Sequence, residues 1–114
     1  MLGAMESYEP RVLARNAPVP GGVVDAGTAP PAERVKELVA GGRPVSVTLV
    51  REDGADGDTE PDAGLLAAAS VYAWLGVRVF RVPEGQMPAL RQVLDMVASI
   101  QGVRPPTLTR RGLA

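Results

Sequence analysis

Apolar residues recur at helical spacing in three stretches of the chain and alternate with small polar ones in a fourth, and these patterns predict most of its elements. From Pro31, the residues Ala32, Val35, Leu38 and Val39 share one face, with proline at the start and Gly41-Gly42 at the end, so a first helix is predicted. Val45-Ser46-Val47-Thr48-Leu49-Val50 alternates apolar with hydroxyl residues and is rich in β-branched side chains. That is the pattern of a half-buried strand. From Ala63 to Leu75 an alanine-rich run places Leu65, Leu66, Ala69, Tyr72 and Ala73 on one face, and Gly76 is placed to stop it, which predicts a second helix. Val77 to Val82 (VRVFRV) reads as the next strand. The helix between the two strands has crossover length, so they are expected to be parallel, with a right-handed connection. After a break from Pro83 to Pro88, the residues Leu90, Val93, Leu94, Val97 and Ile100 mark a third helix. The order α-β-α-β-α follows.

The rest of the chain is less periodic. Residues 1–31 hold five of the eleven prolines and are expected to be mostly loop, since each proline lacks a backbone N–H. Two apolar pieces, Arg11–Ala14 and Val23-Val24, are candidates for short extra strands. Arg51 to Asp62 (REDGADGDTEPD) carries six carboxylates and reads as a solvated acidic loop with nothing to add to a core. The expected organisation is a Pro/Gly-rich N-terminal segment (1–30), an α/β domain (31–102) and a basic tail (103–114). At 114 residues one compact core is the ceiling, and a complete (β/α)₈ barrel, which needs roughly 250 residues, is excluded.

Composition narrows the chemistry. The chain has neither histidine nor cysteine, which removes disulfides, thiolate nucleophiles, the usual zinc ligands and the best proton carrier near neutral pH. A net charge of −1 provides no field to recruit nucleic acid or an anionic membrane. The first residues lack a signal-peptide pattern and no stretch is apolar over the ~20 residues of a membrane span. A soluble cytoplasmic protein without cofactor or metal is the expectation.

Arg81 is the leading candidate site residue. It stands at the carboxyl end of a parallel strand, where α/β folds place ligands, and its guanidinium suits phosphate or carboxylate. The competing reading is an ordinary strand-end arginine, since Arg78 is an odd number of residues away and faces the other side of the sheet. Asp56, Asp58 and Glu60 alternate as hard cation ligands do. A calcium loop is not supported, because Pro61 and Ala67 replace its glycine and its closing glutamate. Tyr72 belongs with the apolar face of the second helix; Trp74 is expected to pack against a neighbouring helix, with a subunit contact as the alternative use. Arg110 and Arg111 read as a solubilising tail.

In LAAASVYAWLGVRVFRV, in LRQVLDMVASIQG and in the ending RPP…RRGLA, the chain resembles the C-terminal end of actinobacterial dihydropteroate synthase-like proteins, the pterin-binding barrel family. The likeness extends back through ELVAGGRPVSVTLV, over roughly the last 80 residues. It implies a partial (β/α) barrel-like unit. That family joins p-aminobenzoate to a dihydropterin pyrophosphate, and its last strand ends in Arg-Val-His-Asp, whose arginine and histidine help hold the pyrophosphate. The matching residues here are Arg81-Val82-Pro83-Glu84. The arginine is kept, whereas proline in place of histidine has no side-chain hydrogen-bonding group. The family's basic Ser-Arg-Lys or Ser-Asn-Lys turn corresponds to Val50-Arg51-Glu52, which is followed by acid. Its N-terminal pterin-recognising strands have no room in this length, and Asp25 takes no role from the likeness.

The resemblance therefore implies a non-catalytic accessory or oligomerising protein related to folate biosynthesis, partnered by itself or by a barrel homologue. A module holding a pterin or phosphate ligand through Arg81 is the alternative.

Overall fold

The computed structural model describes residues 10–52 and 55–102. Within them lie β1 (Arg11–Ala14), β2 (Val24–Thr28), α1 (Ala32–Ala40), β3 (Val45–Thr48), α2 (Ala63–Leu75), β4 (Val79–Val82), a 3-10 turn (Glu84–Gln86) and α3 (Met87–Ile100). The predicted α-β-α-β-α order holds from α1 onward. Both short N-terminal strands also form, the second running from Val24 to Thr28.

Local chemistry fixes the ends of the helices. Asp62 caps α2, its carboxylate accepting from the Leu65 amide at 3.0 Å, which satisfies one of the free N–H groups of the first turn. Gly76 ends the same helix at φ 113°. A side chain there would be strained, and its Cβ would come within 2.9 Å of Val39 on α1. α3 begins at Met87, earlier than its first periodic leucine, because Pro88 in the opening turn lacks only an N–H that would have no helical partner.

The four strands form one parallel sheet in the order β1-β4-β3-β2. From β2 through α1 to β3 and through α2 to β4, each crossover moves one place in the same direction. The right-handed rule therefore puts both helices on one face. α1 packs on α2, and α2 on α3, so the three helices make a single layer. Val45, Val47, Leu49, Phe80 and Val82 point into that layer and meet Val35, Leu65, Ala69, Leu90 and Leu94. Phe80 and Leu90 are fully buried, each contributing about 2–3 kcal/mol.

The step from β1 to β2 goes the opposite way, from one edge of the sheet to the other, about 14 Å at the usual strand spacing. The same handedness rule sends this connection, residues 15–23, over the face that has no helices. Arg81 donates to the Ala17 carbonyl at 2.9 Å from that face. This strap lies where a closed barrel would have its interior. The first thirty residues thus supply both outer strands and the cover of the sheet's second face. The expected basic tail lies outside the described residues. Among the described residues no helix is long and apolar enough to cross a membrane.

Candidate functional site

Because all four strands are parallel, their carboxyl ends share one edge, and three arginines stand there. Strand parity sets the first of them on the same sheet face as Thr48, Ser46 and Asp25. Leu13 and Thr48 flank Arg81 in register, and Asp25 is opposite Ser46. The Arg81 side chain is 18% exposed. Its Nε donates to Thr48 Oγ1 at 3.0 Å, one terminal nitrogen to the Ala17 carbonyl at 2.9 Å, and the other to Asp25 Oδ2 at 3.4 Å. Asp25 is itself held in place, since its second oxygen accepts from the Gly27 amide at 2.9 Å and faces Ser46 Oγ at 3.4 Å. Arg81 thereby ties β4 to β3, β2 and the strap.

The second arginine, Arg15, follows β1. Its Nε lies 3.1 Å from both oxygens of Asp56 and its terminal nitrogen 2.7 Å from one of them, a fork geometry that fits a carboxylate. Hydrogen bonding from Arg15 holds the Asp56 carboxyl below its usual range and raises the arginine in turn. The third, Arg51, follows β3. It donates to the Glu60 carbonyl at 2.7 Å and sits 3.6 Å from the Asp58 carboxylate.

The acidic loop is therefore a plug seated on this edge through a few contacts, while Asp58, Thr59, Glu60 and Pro61 keep the solvent exposure expected of the loop. Its anchor is Gln86, fully buried in the 3-10 turn after β4. Gln86 accepts from the Asp62 amide at 2.9 Å and donates to the Asp58 and Glu60 carbonyls at 3.1 and 2.8 Å. Beside it the Gly85 amide donates to the Asp56 carbonyl at 2.8 Å. A Cβ on Gly85 would collide with the Asp58 carbonyl, so glycine is what lets the loop backbone lie against the turn.

An anion would find each of these guanidiniums already facing a carboxylate of the same chain. The cleft beside Arg51 at the start of α2, about 580 Å³, is also bordered by Glu52 and Asp62. Pro83 follows β4 and is fully buried, and it presents no polar side-chain atom. Among the described residues no group of three or more acidic side chains is gathered as metal ligands would be; Asp56 and Asp58 face arginines instead.

Sequence reading placed Arg81 at the carboxyl edge, and the structure places it there. It missed Gln86, Arg15, Thr48 and Asp25. Thr48 was accessible from parity, since Ser46 and Thr48 must share the face that Val45 and Val47 avoid. Nothing local marks Gln86. Trp74, expected to pack against a helix, is 55% exposed; it lies on the outer side of α2, and Tyr72 takes the inner side.

No family model matches the chain. Over 85 residues, 70% of the chain, it is 52% identical to inactive dihydropteroate synthase 2 of Mycobacterium leprae (strain TN), covering 28% of that protein. With the protein of the same name from Mycobacterium tuberculosis (strain ATCC 25618 / H37Rv) it shares 51% identity over 86 residues, 26% of that protein. The solved structure of Mycobacterium tuberculosis Rv1207 is 45% identical at a TM-score of 0.50, matching 67% of this chain and 28% of that one. The chain is thus dihydropteroate synthase-like, and it spans 26–28% of the length of the curated relatives it matches.

Proposed function

We propose that this dihydropteroate synthase-like chain has no synthase activity of its own and acts as a cytoplasmic, self-associating accessory protein connected with folate biosynthesis. The observation that carries this reading is the self-occupied carboxyl edge. Arg81, the residue that the likeness aligns with a pyrophosphate-holding arginine, is committed to Thr48, Ala17 and Asp25. Proline stands where the family's histidine would be, and acid follows Arg51. Two similar proteins are named inactive dihydropteroate synthase 2, which agrees with this reading.

The direct test supplies the chain with p-aminobenzoate and dihydropterin pyrophosphate and measures pteroate by chromatography. No product is expected; turnover dependent on Arg81 would overturn the reading. A ligand-holding role for Arg81 is the alternative, favoured by its place on the edge and its partial exposure. Calorimetric titration of wild type and Arg81→Ala with pyrophosphate separates the two, since the alternative requires heat from the first and none from the second.

A further inference from the structure

A cleft of about 290 Å³ opens at the amino edge of the sheet, the end of the strands away from Arg15, Arg51 and Arg81. Its walls are Leu94, Val97 and Ala98 of α3 and Ala73 of α2, and Pro10 borders it just before β1. Leu94 is 2% exposed and Val97 and Ala98 are 9% exposed, so the walls belong to the core. Arg78 is the only ionisable residue of the lining. Its amide donates to the Val45 carbonyl at 3.1 Å and its carbonyl accepts from the Arg11 amide at 2.9 Å, so the sheet ladder runs on to this residue. Standing two places before Phe80 on extended backbone, it shares the helix-side face of Phe80, and its Nη1 is shielded from solvent.

The amino edge also gathers the carboxyl ends of α2 and α3, whose last carbonyls would attract a cation. Those of α2 are already engaged: Ala73 and Tyr72 accept from the Gly76 and Val77 amides at 3.0 Å each, and Trp74 accepts from Gln101 Nε2 at 3.2 Å. What the cleft offers a ligand is apolar wall and the positive charge of Arg78.

We propose that this cleft binds a small monocarboxylate with an apolar body, the carboxylate on the Arg78 guanidinium and the body against Leu94, Val97 and Ala98. A planar guanidinium matches a carboxylate through two parallel N–H donors. A phosphate dianion would lose more hydration than one cation among apolar walls returns. The volume lies at the lower end for small-molecule sites, which limits the body to roughly six to ten carbons. The inference goes beyond the accessory role proposed above, and it does not depend on what happens at the carboxyl edge.

Hexanoate is the probe, with hexanamide and hexylammonium as matched compounds that lack the charge or reverse it. Each is titrated to ~20 mM into the isotope-labelled full chain and followed by NMR, since so few atoms allow only weak binding. Hexanoate is expected to shift the amides of Gly76, Arg78, Ala98 and Gln101 saturably, and the other two compounds to bind about tenfold more weakly or worse. Arg78→Gln is expected to weaken hexanoate by about tenfold or more. Ala98→Leu keeps the arginine, fills the cleft and is expected to do the same, and circular dichroism checks that both variants remain folded. Equal binding of the three compounds overturns the proposal without recourse to a variant. Shifts confined to the carboxyl edge, the absence of saturable shifts, or hexanoate binding that survives both substitutions overturn it as well. None of these results bears on the pteroate assay.

Discussion

Arg81 and Asp25 meet across β3 at 3.4 Å although they lie 56 positions apart in sequence. The pair converts the residue best placed for an anionic ligand into a tie between strands. Asp25 is 43% exposed at its side chain, so the ion pair itself adds little, within ~1 kcal/mol. Asp25→Asn is expected to leave the urea midpoint almost unchanged while giving Arg81 measurable affinity for pyrophosphate, which Asp25→Asn/Arg81→Ala loses. If the single variant binds nothing, the strap and Thr48 are what keep the ligand out.

Gln86 is expected to matter more for stability than any surface ion pair of the plug. Replacing it by leucine leaves the Asp62 amide and the Asp58 carbonyl without their partner and the Glu60 carbonyl with Arg51 alone, at a cost of about 2–3 kcal/mol. Urea denaturation measures the loss, and hydrogen exchange should accelerate at residues 55–62. Gly85→Ala tests the same seat from the other side: its Cβ meets backbone rather than a flexible side chain, so ~1–3 kcal/mol is expected.

The Arg15 to Asp56 contact should leave an acid signature. Because the folded-state carboxyl lies below its ordinary value, its stabilisation is present above the unfolded pKa and disappears as pH falls through the folded one. Carboxyl titration by NMR is expected to place Asp56 below a peptide aspartate in wild type and higher in Arg15→Ala, where the lowering partner is gone. Equal values in the two proteins would mean that the contact does not persist in solution.

Tyr72 anchors α2 to the start of α1, its hydroxyl donating to the Pro30 carbonyl at 2.6 Å. Tyr72→Phe is expected to cost about 1 kcal/mol, the worth of one buried hydrogen bond whose acceptor is left behind. Burial raises the phenol above its usual range. The neutral form is therefore favoured on folding, and stability should fall as pH rises past the unfolded pKa. Denaturation at alkaline pH should show that fall in wild type and a smaller one in the phenylalanine variant.

Periodicity and end signals in the sequence determined the helices and the two central strands. Pro31 with Gly41-Gly42, the run from Ala63 to Gly76, and the alternation from Val45 to Leu49 are local patterns, and backbone geometry answers to them locally. The strand read from Val77 to Val82 placed Arg81 at the carboxyl edge. What Arg81 does there was decided by tertiary structure alone, because its partners come from Ala17, Asp25 and Thr48 and no spacing rule joins residues so far apart. The acidic loop makes the same point: its six carboxylates read as solvated and the loop is largely exposed, but only folding brings Arg15 to Asp56, Arg51 to Asp58 and Gln86 to the loop backbone. Proline and glycine in residues 1–31 read as mostly loop with two candidate short strands, and the open edges of a parallel sheet gave Arg11–Ala14 and Val24–Thr28 their backbone partners. Strand pairing is a long-range bond, and only the fold supplies the other half.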